Sequence, residues 1–283
     1  MSEQEQKIDK LKEYFTQRGD VVMAFLFGSQ AKGLSGNQSD WDIGVYVTPE
    51  TTPFEWEETN REYAAEDLIW GDLTRILETD KVDLLILNRA PATIADTVLR
   101  GVPLTVKDWT LWLRFSRIVS GIAEEYREFV HSFYQVFERS RSLNPYDRED
   151  LERTLAFLGE QMQLYSVYRE FTQSVFEGEP RKRNEIERWL ENIMNAVIDC
   201  AKIVLGSRKR TIPSTYRETV RRVVHELKLP DEYAVKFEAW VQFRNVLAHE
   251  YLDIKWKRLE EFARTSQPYI GKLSESVRHF LEE

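Results

Sequence analysis

The chain has 283 residues, 42% hydrophobic and 31% charged, which is enough apolar material for two ordinary domains and excludes wholesale disorder. Acidic residues outnumber basic ones 48 to 39, a formal charge of −9, which excludes a histone-like coat for polyanions but not a local basic patch. The one cysteine, Cys200, excludes an internal disulfide framework and a Cys-rich zinc site.

Residues Met1–Gln6 are polar and acidic, unlike a signal peptide, and no apolar run reaches membrane-span length. A cytoplasmic protein without a membrane partner is therefore expected. Ile8, Leu11 and Phe15 recur at helical spacing and predict a helix over about residues 3–18. Val21 to Phe27 is a continuous apolar run and reads as a buried strand. Gly28-Ser29 follows at once, then Gly33. Trp41 to Val47 and Val82 to Leu87 are the next strand candidates, so the first part is an α/β unit. From about Trp112 the apolar period becomes helical: Phe115, Ile118, Val119, Ile122, Tyr126, Phe129, Phe133 and Phe137 mark one face of a long helix. The turn-forming stretch Ser142 to Asp147 interrupts it, and the domain boundary is placed there, giving domains 1–143 and 144–283. Beyond it every periodic segment is helical, including Ile186 to Val204 with Gly206 as its expected C-terminal cap. A helix near Val235 to Leu252 and a last one near the C-terminus complete an all-α bundle. The eight tryptophans are read as core and Cys200 as a buried small hydrophobe.

The sharpest chemical signal is Gly28-Ser29, Gly33 and Ser39-Asp40-Trp41-Asp42. A glycine after a strand lets backbone approach a phosphate closely, and Ser29 adds a hydroxyl donor. Asp40 and Asp42 are two apart at a strand start, so both carboxylates share a face. They repel each other unless a cation lies between them, and Mg²⁺ suits carboxylate and phosphate oxygens. Asp83, the lone acid of an apolar strand, is the candidate third carboxylate. These residues, with Val98 to Leu104, resemble the minimal nucleotidyltransferase (MNT) group of polymerase β-like nucleotidyltransferases over about residues 20–140. The resemblance implies nucleotidyl transfer from a nucleoside triphosphate such as ATP. Asp40, Asp42 and Asp83 would hold Mg²⁺, Gly28, Ser29, Gly33 and Ser39 would line the nucleotide site, and Asp83 would serve as base.

The second signal is Arg244-Asn245 followed by His249 and Tyr251. Asn245 and His249 are i, i+4 neighbours, whereas Arg244 and His249 are separated by about 140° on an ideal helix. A long Arg side chain, a helix end near His249, or two chains meeting across a two-fold axis could bring them together. With the helical pattern and Asp199, the motif resembles the HEPN superfamily over about residues 150–283, in its HepT-like toxin branch. That resemblance implies a metal-independent RNase acting on RNA, with Arg244 stabilising phosphate charge and His249 moving a proton. It also implies a homodimer through the helical half, whose cleft unites the pair. In related two-protein systems the MNT partner adenylylates the tyrosine matching Tyr251 and silences the nuclease. The basic clusters at Arg181 to Arg183, Arg208 to Arg210 and Arg221-Arg222 are either RNA-steering patches or solvated helix flanks. The expected protein is thus a fused MNT–HEPN module of toxin–antitoxin type. The alternative is a small-molecule, aminoglycoside-like nucleotidyltransferase whose helical half is a non-catalytic dimerisation or substrate-binding module.

Overall fold

The computed structural model describes residues 3–31, 39–49, 54, 56, 61–139, 143–249 and 256–283. They fall into two compact units, Met1–Glu124 and Glu125–Glu283. The first runs α1 (Glu3–Gln17), β1 (Val21–Phe27), α2 (Gly28–Ala31), β2 (Trp41–Val47), α3 (Ala65–Leu77), β3 (Val82–Ile86), α4 (Ala92–Leu99) and β4 (Val102–Val106), and α5 (Trp109–Arg139) begins in it. The sheet order is β3-β2-β1-β4. β1 is antiparallel to β2 and to β4, and β2 is parallel to β3.

Both sheet faces are covered, which is why these strands read as apolar runs without clean alternation. One face carries Val21, Leu26, Trp41, Ile43, Val45 and Val82 against Leu11 and Phe15 of α1 and Ile69, Leu73 and Leu77 of α3. The other carries Met23, Phe25 and Tyr46 against Ala95 and Val98 of α4 and Leu111 to Ile122 of α5. Phe115 packs edge-on to Tyr46 at 5.3 Å. By alternation Asp42 and Gly44 belong to this second face. Gly44 is there because a Cβ would lie 2.3 Å from Val98 Cγ1 and push α4 away.

The strand β4 is an addition to the sequence reading, which took Val98 to Leu104 only as a family-like segment. Pro103 hides it from the pattern. The strand sits at the sheet edge, and its pairing with β1 shifts register between Ala24 and Phe25, where a missing N–H is tolerated.

The second unit continues α5 and adds α6 (Pro145–Gln163), α7 (Tyr165–Tyr168), α8 (Gln173–Gly178), α9 (Pro180–Ser207), α10 (Tyr216–Glu226), α11 (Asp231–His249), α12 (Trp256–Thr265) and α13 (Gln267–Glu282). Among the described residues it contains no strand. The predicted interruption after α5 is present: Asn144 caps α6 by accepting from the Asp147 N–H at 3.0 Å, and Pro145 occupies the first turn. The division into units nevertheless comes earlier than 143/144, inside α5. Leu111 to Ile122 join the sheet's core, whereas Tyr126, Phe129, Phe133 and Val136 join the core of α6 and α9. Helical period shows a continuous apolar face and is blind to a change of what that face packs against.

Two further expectations change, and one open alternative narrows. Gly206 is not a cap: α9 passes through it to Ser207, and the left-handed residue is Lys209, at φ 54. Arg210 N–H closes the end on Leu205 O at 3.0 Å, the long bond of a Schellman turn. Gly206 serves packing, since a Cβ there would lie 2.9 Å from Val136 Cγ1. Trp41, Trp189, Trp240 and Trp256 are core, but Trp109 is 63% exposed and Trp70 43%. The basic clusters are largely spent on neighbouring acids: Arg221 and Arg217 converge on buried Glu238, Arg222 pairs with Glu218, Arg210 with Glu226, and Lys182 with Glu179. That favours solvated flanks over an RNA patch. Cys200 is buried, and burial pushes its thiol well above the ordinary range. No helix among the described residues is long and apolar enough to cross a membrane.

A Cβ at Gly101 would lie 2.2 Å from the Leu26 carbonyl oxygen, a backbone atom that cannot swing aside. Gly101→Ala should therefore lose about 1–3 kcal/mol or more of stability in denaturant unfolding, an overpacking penalty.

Candidate active sites in the two units

In the first unit the apolar strand β1 delivers the chain to Gly28, whose φ is +70. A side chain here would be strained, and its Cβ would lie 1.9 Å from Asp42 Oδ2. Register explains the proximity: Phe27 pairs with Asp42 across β1 and β2, and Asp42 pairs with Asp83 across β2 and β3. Asp42 and Asp83 are thus side by side on one sheet face, and Asp40 lies just ahead of β2. Asp40 and Asp83 are exposed, and Asp42 is half-buried. Burial, then the neighbouring charges of Asp83 and Asp40, hold the Asp42 carboxyl above the ordinary carboxylate range.

Sequence reasoning missed Gln30. It is buried in α2, its amide donates to Ser39 O at 3.1 Å, and its Oε1 accepts from Gln4 at 3.1 Å. This latch ties the Gly28-Ser29 turn to the approach of β2. Ser39 is thereby held through its carbonyl, and Ser29 is half-buried in α2. A glutamine on a four-residue helix carries no periodic signal, so nothing in the pattern marked it. Gly33 lies outside the described residues.

The donor set fits a hard divalent cation. It is all oxygen, and Asp42 lies in electrostatic reach of both Asp83 and Asp40. Among the described residues no group of three acidic, His or Cys side chains is placed to hold a metal ion as the side chains stand.

In the second unit α11 carries Arg244 and Asn245, both buried at 8% and 6% exposure. Arg244 Nε donates to Asn195 Oδ1 at 2.7 Å, and Nη1 donates to Glu125 Oε2 at 2.6 Å and to Asn245 Oδ1 at 3.3 Å. The Tyr216 ring faces the guanidinium, 5.6 Å from its centroid. Burial pushes the Tyr216 phenol up, against the pull of Arg244. Arg244, Asn195, Glu125 and Tyr216 line a cavity of about 510 Å³, with Phe129, Lys202 and Asp199 on its walls. Asp199 pairs with Lys202 at 2.8 Å. Glu125, Asn195 and Tyr216 were not found from sequence. Asn195 alone left a trace, as an amide amid the apolar residues of α9.

The helix α11 runs unbroken through position 249, so Arg244 and His249 lie five residues apart on one regular helix. The side chain of His249 and all of Tyr251 are outside the described residues.

The raised Asp42 carboxyl carries a stability consequence. Its folded form binds the proton more tightly than the unfolded chain, so ionising it destabilises the fold, and that penalty vanishes as pH falls below the ordinary Asp value. Asp42→Asn should melt higher than wild type near neutral pH, with the gap closing on acidification. Added Mg²⁺ should raise the melting temperature of wild type and leave that of Asp42→Asn unchanged.

Family comparison agrees with this division of chemistry. Residues 9–109 match a model described as polymerase beta, nucleotidyltransferase, and residues 124–277, more than half of the chain, match one described as ribonuclease HepT-like. No curated protein matches the chain. The chain belongs to the HepT-like ribonuclease family, its helical unit joined in one polypeptide to a polymerase beta-type nucleotidyltransferase domain.

Proposed function

We propose that this MNT–HEPN protein controls its own nuclease: ATP donates AMP to Tyr251 in a Mg²⁺-dependent transfer, and the modified tyrosine holds an RNase site off. The observation that carries the transferase half is the Asp42–Asp83 register beside the open backbone of Gly28. Gly28 and Ser29 would bind triphosphate oxygens by backbone and hydroxyl donors. Asp83 would take the phenol proton as the tyrosyl oxygen bonds to the α-phosphorus and pyrophosphate leaves. Mg²⁺ held by Asp40, Asp42 and Asp83 would neutralise the triphosphate and the departing charge.

For the nuclease half, the carrying observation is a buried arginine opening on a cavity large enough for a nucleotide. Arg244 would stabilise the charge gathering on the scissile phosphate, and His249 would move a proton. An AMP group on Tyr251 adds bulk and negative charge and would compete with RNA for Arg244. The separation of Arg244 and His249 on one helix favours a homodimer through the helical unit, with each site completed by two chains.

Incubation with ATP and Mg²⁺ followed by intact mass should show an AMP-sized increment in wild type and none in Tyr251→Phe. Label appearing instead on an added small hydroxyl compound would replace this reading with the small-molecule transferase. Unmodified protein should cleave RNA in the presence of EDTA. Arg244→Lys, which keeps the charge but not the fork, should lower that rate about 10²–10³-fold. Light scattering should return twice the chain mass, and a monomer would remove the two-chain site.

A further inference from the structure

Metal-independent cleavage of RNA needs a cation at the phosphate, a base for the 2′-hydroxyl proton and an acid for the departing 5′-oxygen. Arg244 supplies the first. A single histidine, His249, is left for two proton transfers, so one group is missing from the sequence motif.

The cavity contains a candidate. Glu125 Oε2 touches Arg244 Nη1 at 2.6 Å, and the glutamate side chain is 34% exposed where the arginine's is 10%. Both side chains line the cavity, and the carboxylate is the more solvent-accessible of the two. The guanidinium is fixed in place, because Nε is bound to Asn195 and Nη1 also reaches Asn245. Its Nη2 bonds to none of the described residues, and five N–H donors allow one guanidinium to hold a carboxylate and a phosphate together. The other acids on the cavity wall are placed differently. Asp199 is paired with Lys202, and among the described residues no bond joins Glu128 to Arg244. Since the attacking 2′-oxygen is on the same ribose as the scissile 3′-phosphate, its base must stand beside the phosphate-binding cation. Glu125 alone of these acids does.

We propose that Glu125 is the general base of the ribonuclease site, an assignment that rests on the RNase reading above. Its carboxylate accepts the 2′-hydroxyl proton as the 2′-oxygen bonds to phosphorus. The bond from phosphorus to the 5′-oxygen breaks, and that oxygen takes a proton from the acid, the role left to His249. The products are a 2′,3′-cyclic phosphate and a 5′-hydroxyl, and the substrate must carry a 2′-hydroxyl at the cut.

The test uses the full chain, free of AMP, and a labelled RNA oligonucleotide, with Glu125→Gln and Glu125→Asp beside wild type. Single-turnover rates are followed against pH, affinity is read with the same oligonucleotide bearing 2′-deoxyribose at the cut, and melting temperature reports folding. Glu125→Gln should cleave about 10²–10⁴-fold more slowly, with affinity unchanged or tighter, and should lose the acidic limb of the pH profile. Glu125→Asp should keep that limb at an intermediate rate, which a merely structural role would not produce. Equal cleavage by Glu125→Gln and wild type overturns the base and leaves the RNase reading standing. Faster cleavage by Glu125→Gln overturns it too, and makes Glu125 a carboxylate that blocks Arg244. If wild type binds the oligonucleotide but never cleaves it, the RNase reading itself fails, and the base with it.

Discussion

The close approach of the Asp42 carboxylate to the Gly28 backbone is the constraint around which the first unit is arranged. Gly28 has the left-handed φ that glycine tolerates and the missing side chain that the carboxylate oxygen requires. The antiparallel pairing of β1 with β2 sets that approach, and the parallel pairing of β2 with β3 brings Asp83 alongside. Around them the sheet is sealed on both faces by apolar packing.

Such crowding works against stability. Burial, and after it the charges of Asp83 and Asp40, raise the Asp42 carboxyl, and the apolar core has to outweigh that cost. A protein selected only to fold would not retain three acids there. The Gln4–Gln30–Ser39 chain of hydrogen bonds keeps the turn in register while the charges push apart.

The helical unit solves a different problem. A buried guanidinium needs its donors satisfied, and Arg244 finds them on three helices: Glu125 on α5, Asn195 on α9 and Asn245 on its own α11. Arg244 thereby joins those helices and faces a cavity at once, so architecture and chemistry share one side chain. The Glu125 end of the pair is 34% exposed, so solvent screens the contact and it adds little net stability.

Much of this was legible in sequence, because the determining physics is local. Apolar period marked β1, β2, β3 and the long helices, and glycine ahead of acids two apart pointed to the Gly28–Asp42 contact, as Arg244 and Asn245 pointed to the cavity-facing part of α11. What escaped depends on contacts between residues far apart in the chain. Pro103 disguised an edge strand, and α5 changed its packing partner midway without any change in period. Gln30 and Glu125 acquire meaning only from what lies opposite them, 9 and 119 residues away. Residue type and spacing were enough to set which donors, acceptors and charges the two units offer. Tertiary structure alone decided which carboxylate faces the arginine and which glycine shelters the aspartate, because such pairings arise from register and helix packing, which no local pattern encodes.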